Sequence, residues 1–121
     1  MGIMLEDRRI NYIELPSEDL ESTKAFYKKV FGWTFQDYGD DYCAFNDGRL
    51  DGGFYRSALR SDSTKKGAAL VVLYADDLEA TLERITDAGA KICMAIFSFP
   101  GGRRFHFLDP SGNELAVWSD Q

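Results

Sequence analysis

Apolar residues recur along the chain in two alternating regimes. A short run, Tyr12-Ile13-Glu14-Leu15, gives way past an acidic pair to helical spacing, with Leu20, Tyr27, Val30 and Phe31 sharing a face with Thr23. Asp19 stands where an N-cap belongs, and Gly32 follows the last periodic residue, so the spacing predicts a strand and then a helix ending near Gly32. The same order returns at Leu70 to Tyr74, with Asp77 as the cap, Leu78, Leu82, Ile85 and Ala88 as the apolar face, and Gly89 as the stop. Shorter strand-like runs follow each helix: Trp33 to Tyr38, Asp41 to Phe45 and Gly52 to Ser57, then Lys91 to Phe99, Arg103 to Leu108 and Glu114 to Trp118. Turn signals lie in corresponding places, Asn46-Asp47-Gly48 in one half and Asp109-Pro110-Ser111-Gly112-Asn113 in the other. Each half therefore reads β-α-β-β-β.

The two halves are related. Tyr12 to Thr23 laid over Leu70 to Thr81, 58 positions on, matches at five of twelve places: Leu15 with Leu73, Asp19 with Asp77, Leu20 with Leu78, Glu21 with Glu79, and Thr23 with Thr81. Residues 9–57 form one module and 68–119 the second, within a single domain spanning residues 1–121. The polar stretch between them, Ser57 to Gly67, reads as a mobile linker; a connector is its simpler role and a ligand-closing loop the other.

Composition narrows the function classes. Fourteen basic side chains against twenty acidic ones give a net charge of −6, the wrong sign for a nucleic-acid binder. No apolar stretch is long enough to cross a membrane and the first residues lack the order of a secretory leader, so a cytoplasmic protein is expected. Cys43 and Cys93, without a CxxC pair, are expected to be buried reduced thiols. Nine Phe, six Tyr and two Trp are many for 121 residues; most belong to the core, and the surplus can line a pocket.

The segments INYIELPSEDLESTKAFYKKVFGW, DDLEATLERITDAGAKI and FLDPSGNELAVW resemble the vicinal oxygen chelate superfamily of glyoxalase I, bleomycin resistance proteins and ring-cleaving dioxygenases. The resemblance runs from about Arg9 to Trp118. It implies an α+β fold of two tandem β-α-β-β-β modules forming a half-open curved sheet, often a homodimer, with function inside the cup. In metal-dependent members each module gives one ligand from its first strand and one from its last, around a divalent cation with open positions. Those positions fall here on Tyr12, Gly53, Leu70 and Ala116. Three of the four cannot ligate, and a shift by one residue substitutes other non-ligands, so neither a metal nor any other cofactor is expected.

Strand alternation places Tyr12, Glu14 and Pro16 on the cup side of the first strand, and Tyr55, Leu70, Val72, Tyr74, Ala116 and Trp118 on the other cup-facing positions. This aromatic and aliphatic lining suits a small flat organic ligand. Glu14 is either a cup carboxylate able to act as a base or a solvated strand glutamate. His106, the sole histidine, is either structural or a cup-lining acid/base, with Glu14 as partner if the fold joins their strands. Arg103 and Arg104, after Pro100-Gly101-Gly102, are either an anion cradle or solvated arginines beyond a tight hairpin, the simpler reading. The expectation is a metal-independent small-molecule-binding protein. A glyoxalase-like lyase or isomerase acting on a small carbonyl compound is the rival reading, and a dimeric interaction protein the third.

Overall fold

A computed structural model describes residues 5–121. The chain divides into two compact units, residues 1–59 and 60–121. It is a mixed α+β protein whose two four-stranded sheets stay open. No helix among the described residues is long and apolar enough to cross a membrane.

In the first unit, β1 (Tyr12–Ser17), α1 (Leu20–Phe31), β2 (Thr34–Asp37), β3 (Tyr42–Asn46) and β4 (Asp51–Arg56) form a sheet in the order β1-β4-β3-β2. The β1–β4 pair is parallel and the other pairs are antiparallel. The carboxylate of Asp19 accepts from the amides of Glu21 and Ser22, satisfying helix donors that would otherwise have no partner, and Gly32 closes α1 at φ 72°. Trp33, expected at the start of a strand, is instead a core residue: its amide donates to the Tyr27 carbonyl, and its ring stacks on Tyr27 and Phe45, each at 4.5 Å. Tyr27 also packs against Phe54 at 5.3 Å. Each such fully buried ring contributes about 2–3 kcal/mol, and this is where most of the first unit's aromatic surplus goes.

The second unit contains α2 (Ser63–Lys66), β5 (Val71–Tyr74), α3 (Leu78–Asp87), β6 (Lys91–Phe99), β7 (Gly102–Leu108) and β8 (Glu114–Ser119), with the sheet order β5-β8-β7-β6. Leu78 and Ile85 of α3 are buried, as are Phe105, Phe107, Leu115 and Val117 on alternate positions of β7 and β8. Leu70 lies just outside β5, and Leu82 and Ala88 are half-buried. The stretch read as a linker is not bare chain. It holds the helical turn α2 and is tied down by Ser61, whose amide donates to Asn113 Oδ1 and whose carbonyl accepts from the Glu114 amide.

The repeat is visible in the register. Glu14 faces Gly53 in one sheet and Val72 faces Ala116 in the other, pairs that keep the 58-residue offset on the first strands. Both cysteines are free, as expected, but only one is buried. Cys43 is buried on the helix side of β3, whereas Cys93 is exposed, because β6 is an edge strand.

Candidate functional site

The face of the first sheet opposite its aromatic core carries Tyr12 and Glu14 on β1, Gly53 and Tyr55 on β4, Tyr42 and Ala44 on β3, and Gln36 on β2, as pairing and alternation require. Glycine at 53 is needed for close approach. A Cβ there would stand 1.9 Å from the Tyr42 hydroxyl, so that phenol occupies the room a side chain would take. From this position Tyr42 donates to Glu14 Oε2 at 2.8 Å, and the Tyr12 hydroxyl, 2.6 Å away, donates to Tyr42. Burial, then the Tyr12 and Glu14 contacts, push the Tyr42 phenol far above its ordinary range, so it stays protonated and holds the chain of donors in one direction. Glu14 itself is exposed, the solvent-facing strand position that was one of its two readings. Beside this triad opens a concavity of about 620 Å³ lined by Tyr12, Tyr38, Tyr42, Gln36, Asn46 and Asp51 among others. Its walls combine phenol rings and the side chains of Phe35 and Phe45 with two amides and one carboxylate.

On the second sheet, Val72 stands opposite Ala116 and Tyr74 opposite Trp118, whose rings meet edge to face at 5.2 Å. Val72 and Tyr74 are 42% and 47% exposed, so both offer surface rather than core. Tyr74 donates to Asp120. Ala116 is fully buried and presents only a methyl group to that face. Pro16, placed on the cup side by alternation, is buried in the first unit.

His106 is buried, and its partner is Glu114, not Glu14: Nδ1 lies 2.7 Å from Glu114 Oε2. Glu114 also accepts from the amide of Thr64 at 2.9 Å and from its hydroxyl at 2.5 Å. Burial raises the Glu114 carboxyl, but the Thr64 hydroxyl, the imidazole and the Thr64 amide outweigh it and draw it down to about 2. The arginines after the Pro-Gly-Gly turn are half-buried and engaged rather than free in solvent. Arg103 makes a two-pronged ion pair with Glu79, and the Arg104 guanidinium lies over Phe97 at 5.2 Å and Phe99 at 5.8 Å. The glycines cradle backbone instead of an anion: a Cβ on Gly102 would strike the Ser119 carbonyl oxygen at 2.1 Å.

Tyr42, Glu114 and Thr64 were not singled out by sequence reasoning. Glu114 carried one usable signal, a carboxylate directly after the Asp109 to Asn113 turn and at the start of a strand beside the one containing the only histidine.

The divalent cation implied by the superfamily does not fit these residues. Of its four positions, Gly53 and Ala116 offer no donor and Leu70 is aliphatic, while Tyr12 is committed to Tyr42. Glu114 lies two residues short of the expected ligand position, with both oxygens already engaged. Among the described residues, no three His, Cys, Asp or Glu side chains gather closely enough to hold a metal.

Comparison with known proteins agrees with the fold. Residues 9–117 match the family described as "Glyoxalase/Bleomycin resistance protein/Dioxygenase superfamily". The chain is 30% identical over 124 residues to the anthracycline biosynthesis protein DnrV of Streptomyces peucetius; the match covers 88% of this chain but 45% of that protein, so the chain spans less than half its relative's length. It is also 30% identical over 120 residues to a glyoxylase-like domain-containing protein of Didymella fabae, covering 90% of this chain and 91% of that one. The crystal structure of a lactoylglutathione lyase from Agrobacterium tumefaciens superposes with a TM-score of 0.72 at 22% identity, over 95% of this chain and 96% of the other, a likeness that speaks for the fold.

Proposed function

The chain belongs to the glyoxalase/bleomycin resistance protein/dioxygenase superfamily, and from that premise we propose that it holds a small, flat organic ligand without help from a metal ion. One observation carries the reading. At the position where the superfamily implies a last-strand ligand, this chain has Gly53, and the space is filled by a Tyr12–Tyr42–Glu14 hydroxyl and carboxylate chain beside the 620 Å³ concavity. Phenol rings offer apolar faces to a planar molecule, while Glu14 and Asp51 favour a ligand with a cationic or hydrogen-bond-donating group. Tyr55 extends the proposed lining within the first unit, and Leu70, Val72, Tyr74, Ala116 and Trp118 form a separately proposed ligand-facing surface on the second unit's sheet. The relative named for anthracycline biosynthesis is consistent with handling of planar organic molecules.

A thermal-shift screen of small aromatic and cationic compounds tests the proposal, since a ligand that binds only the folded state raises the melting temperature. Tyr12→Ala and Trp118→Ala are expected to lose the shift seen with the native chain. Full retention of the shift in both variants overturns this lining.

The same hydroxyl chain favours a second reading, a lyase or isomerase acting on a small carbonyl compound. Tyr12 to Tyr42 to Glu14 is a directed path along which a proton leaves a substrate for a carboxylate. Turnover of a hemithioacetal of an α-ketoaldehyde by chelator-treated protein, abolished in Tyr42→Phe, supports it; no turnover with ligand binding intact supports the binder. The proposal includes a cytoplasmic homodimer, for which light scattering on the purified chain gives the mass directly.

A further inference from the structure

On β7, Phe105 and Phe107 take one face and are fully buried, leaving Arg104 and His106 side by side on the other. His106 is 2% exposed. Its Nδ1 lies 2.7 Å from Glu114 Oε2, a carboxylate oxygen that accepts the Nδ1 hydrogen, which leaves Nε2 as the ring nitrogen turned elsewhere. That Nε2 is buried and has no hydrogen-bond partner among the described residues, and the same holds for Nε of Arg104. Leaving one buried polar nitrogen unpaired is costly, and here two stand on adjacent same-face positions of one strand.

Aromatic side chains stand beside both nitrogens. Phe97 stacks beneath the Arg104 guanidinium at 5.2 Å and lies 6.0 Å from the imidazole, ring centre to ring centre. Opposite His106 across the β7–β8 pair is Ala116, which takes up little room. On the other flank, Met94 of β6 pairs with His106, and the register slips on both sides of it, between Ile92 and Met94 and between Met94 and Phe97. Irregularities of this kind re-aim side chains and concentrate next to binding sites, and an unbranched Met is the residue best able to move aside.

We propose that Arg104 and His106 together bind the carboxylate of a small aromatic acid, with the aromatic ring held against Phe97. Side chains two residues apart on a strand stand roughly 7 Å apart, the span of a carboxylate with one charge-assisted hydrogen bond of about 2.8 Å to each side. The ligand carboxylate accepts from Arg104 Nε–H and from Nε2–H of an imidazole that takes up one proton on binding; Glu114, held by Thr64, balances the new charge. This goes beyond the Tyr12 concavity and draws on residues 60–121 alone, but it rests on the reading of the chain as a small-molecule binder.

The single histidine makes the test direct, because long-range proton–nitrogen NMR of the imidazole shows one spin system. Benzoate is the probe and benzyl alcohol its uncharged counterpart. Expected is a saturable move of the Nε2 resonance from the lone-pair to the protonated position with benzoate and none with benzyl alcohol, and about tenfold weaker benzoate binding in Arg104→Gln. Benzoate binding that leaves Nε2 unmoved, or equal affinity in Arg104→Gln, overturns this site while leaving the binder reading standing. No saturable response to millimolar benzoate at all, with aromatic compounds still raising the melting temperature of the native chain, overturns the carboxylate preference in particular.

Discussion

Tyr42 is the residue on which the first unit's polar face turns. It is donor to Glu14 and acceptor from Tyr12, so Tyr42→Phe removes two hydrogen bonds while keeping the ring. Each such bond is worth about 1 kcal/mol, and the face is partly solvated, so a loss of about 1–2 kcal/mol in urea unfolding is expected, together with loss of the ligand-induced thermal shift. Glu114 gives a pH signature. Its folded carboxyl lies near 2 against an ordinary 4.5, so the unfolded chain binds the proton first; this contribution is full above about pH 4.5 and disappears as the pH falls toward 2. Glu114→Gln leaves His106 and Thr64 without their anionic acceptor, an expected cost of about 1–3 kcal/mol at neutral pH, and flattens the stability curve between pH 5 and 2. Neither residue was visible as a partner in the sequence. Tyr42 lies 28 positions from Glu14, and Thr64 lies 50 from Glu114, so nothing local marks the pairs. Tyr12 and Glu14 were legible because strand alternation alone puts them on one face.

Elements were easier to read than contacts, because their signals are local. Asp19, Gly32 and Asp77 each act as the caps their positions suggested, and the limits of β6 coincide with the apolar run from Lys91 to Phe99. Asp19→Ala is expected to lower stability by about 1 kcal/mol through α1 alone, measurable as a downward shift in denaturant midpoint with unchanged slope. Two elements escaped. Trp33 reads as the first residue of a strand, but the end of α1 claims its amide and the core claims its ring. The turn α2 escaped because four polar residues have no periodicity; its order comes from Asp62 capping and from Glu114 receiving Thr64. Thr64→Val therefore tests whether this segment is a passive tether. Loss of the hydroxyl bond is expected to destabilise the second unit by about 1–2 kcal/mol and to shift the His106 imidazole resonances, whereas a passive tether leaves both unchanged.

At the scale of the whole molecule, the repeat and the superfamily were legible from paired caps, paired turns and the 58-residue offset, all preserved in the register of two separate sheets. What the repeat did not show is how far the halves have diverged in chemistry. Where the first unit has Tyr42 and Ala44 facing Tyr55 and Gly53, the second has Arg104 and His106 facing Trp118 and Ala116, so a guanidinium stands where the other half has a phenol and an imidazole where it has a methyl group. Each half is about 60 residues, a size at which a lone module is marginal, and the single-domain reading accordingly predicts one cooperative unfolding transition for the full chain and an unstable isolated fragment 1–59. The central claim is that a superfamily scaffold binds its ligand here through phenols and carboxylates with no metal ion. Isothermal titration of an aromatic hit from the thermal screen into chelator-treated protein tests it most directly. The expected result is the same affinity with and without added Mn, Ni or Zn ions, and at least about tenfold weaker binding in Tyr12→Ala. Binding that appears only after a divalent ion is restored contradicts the account.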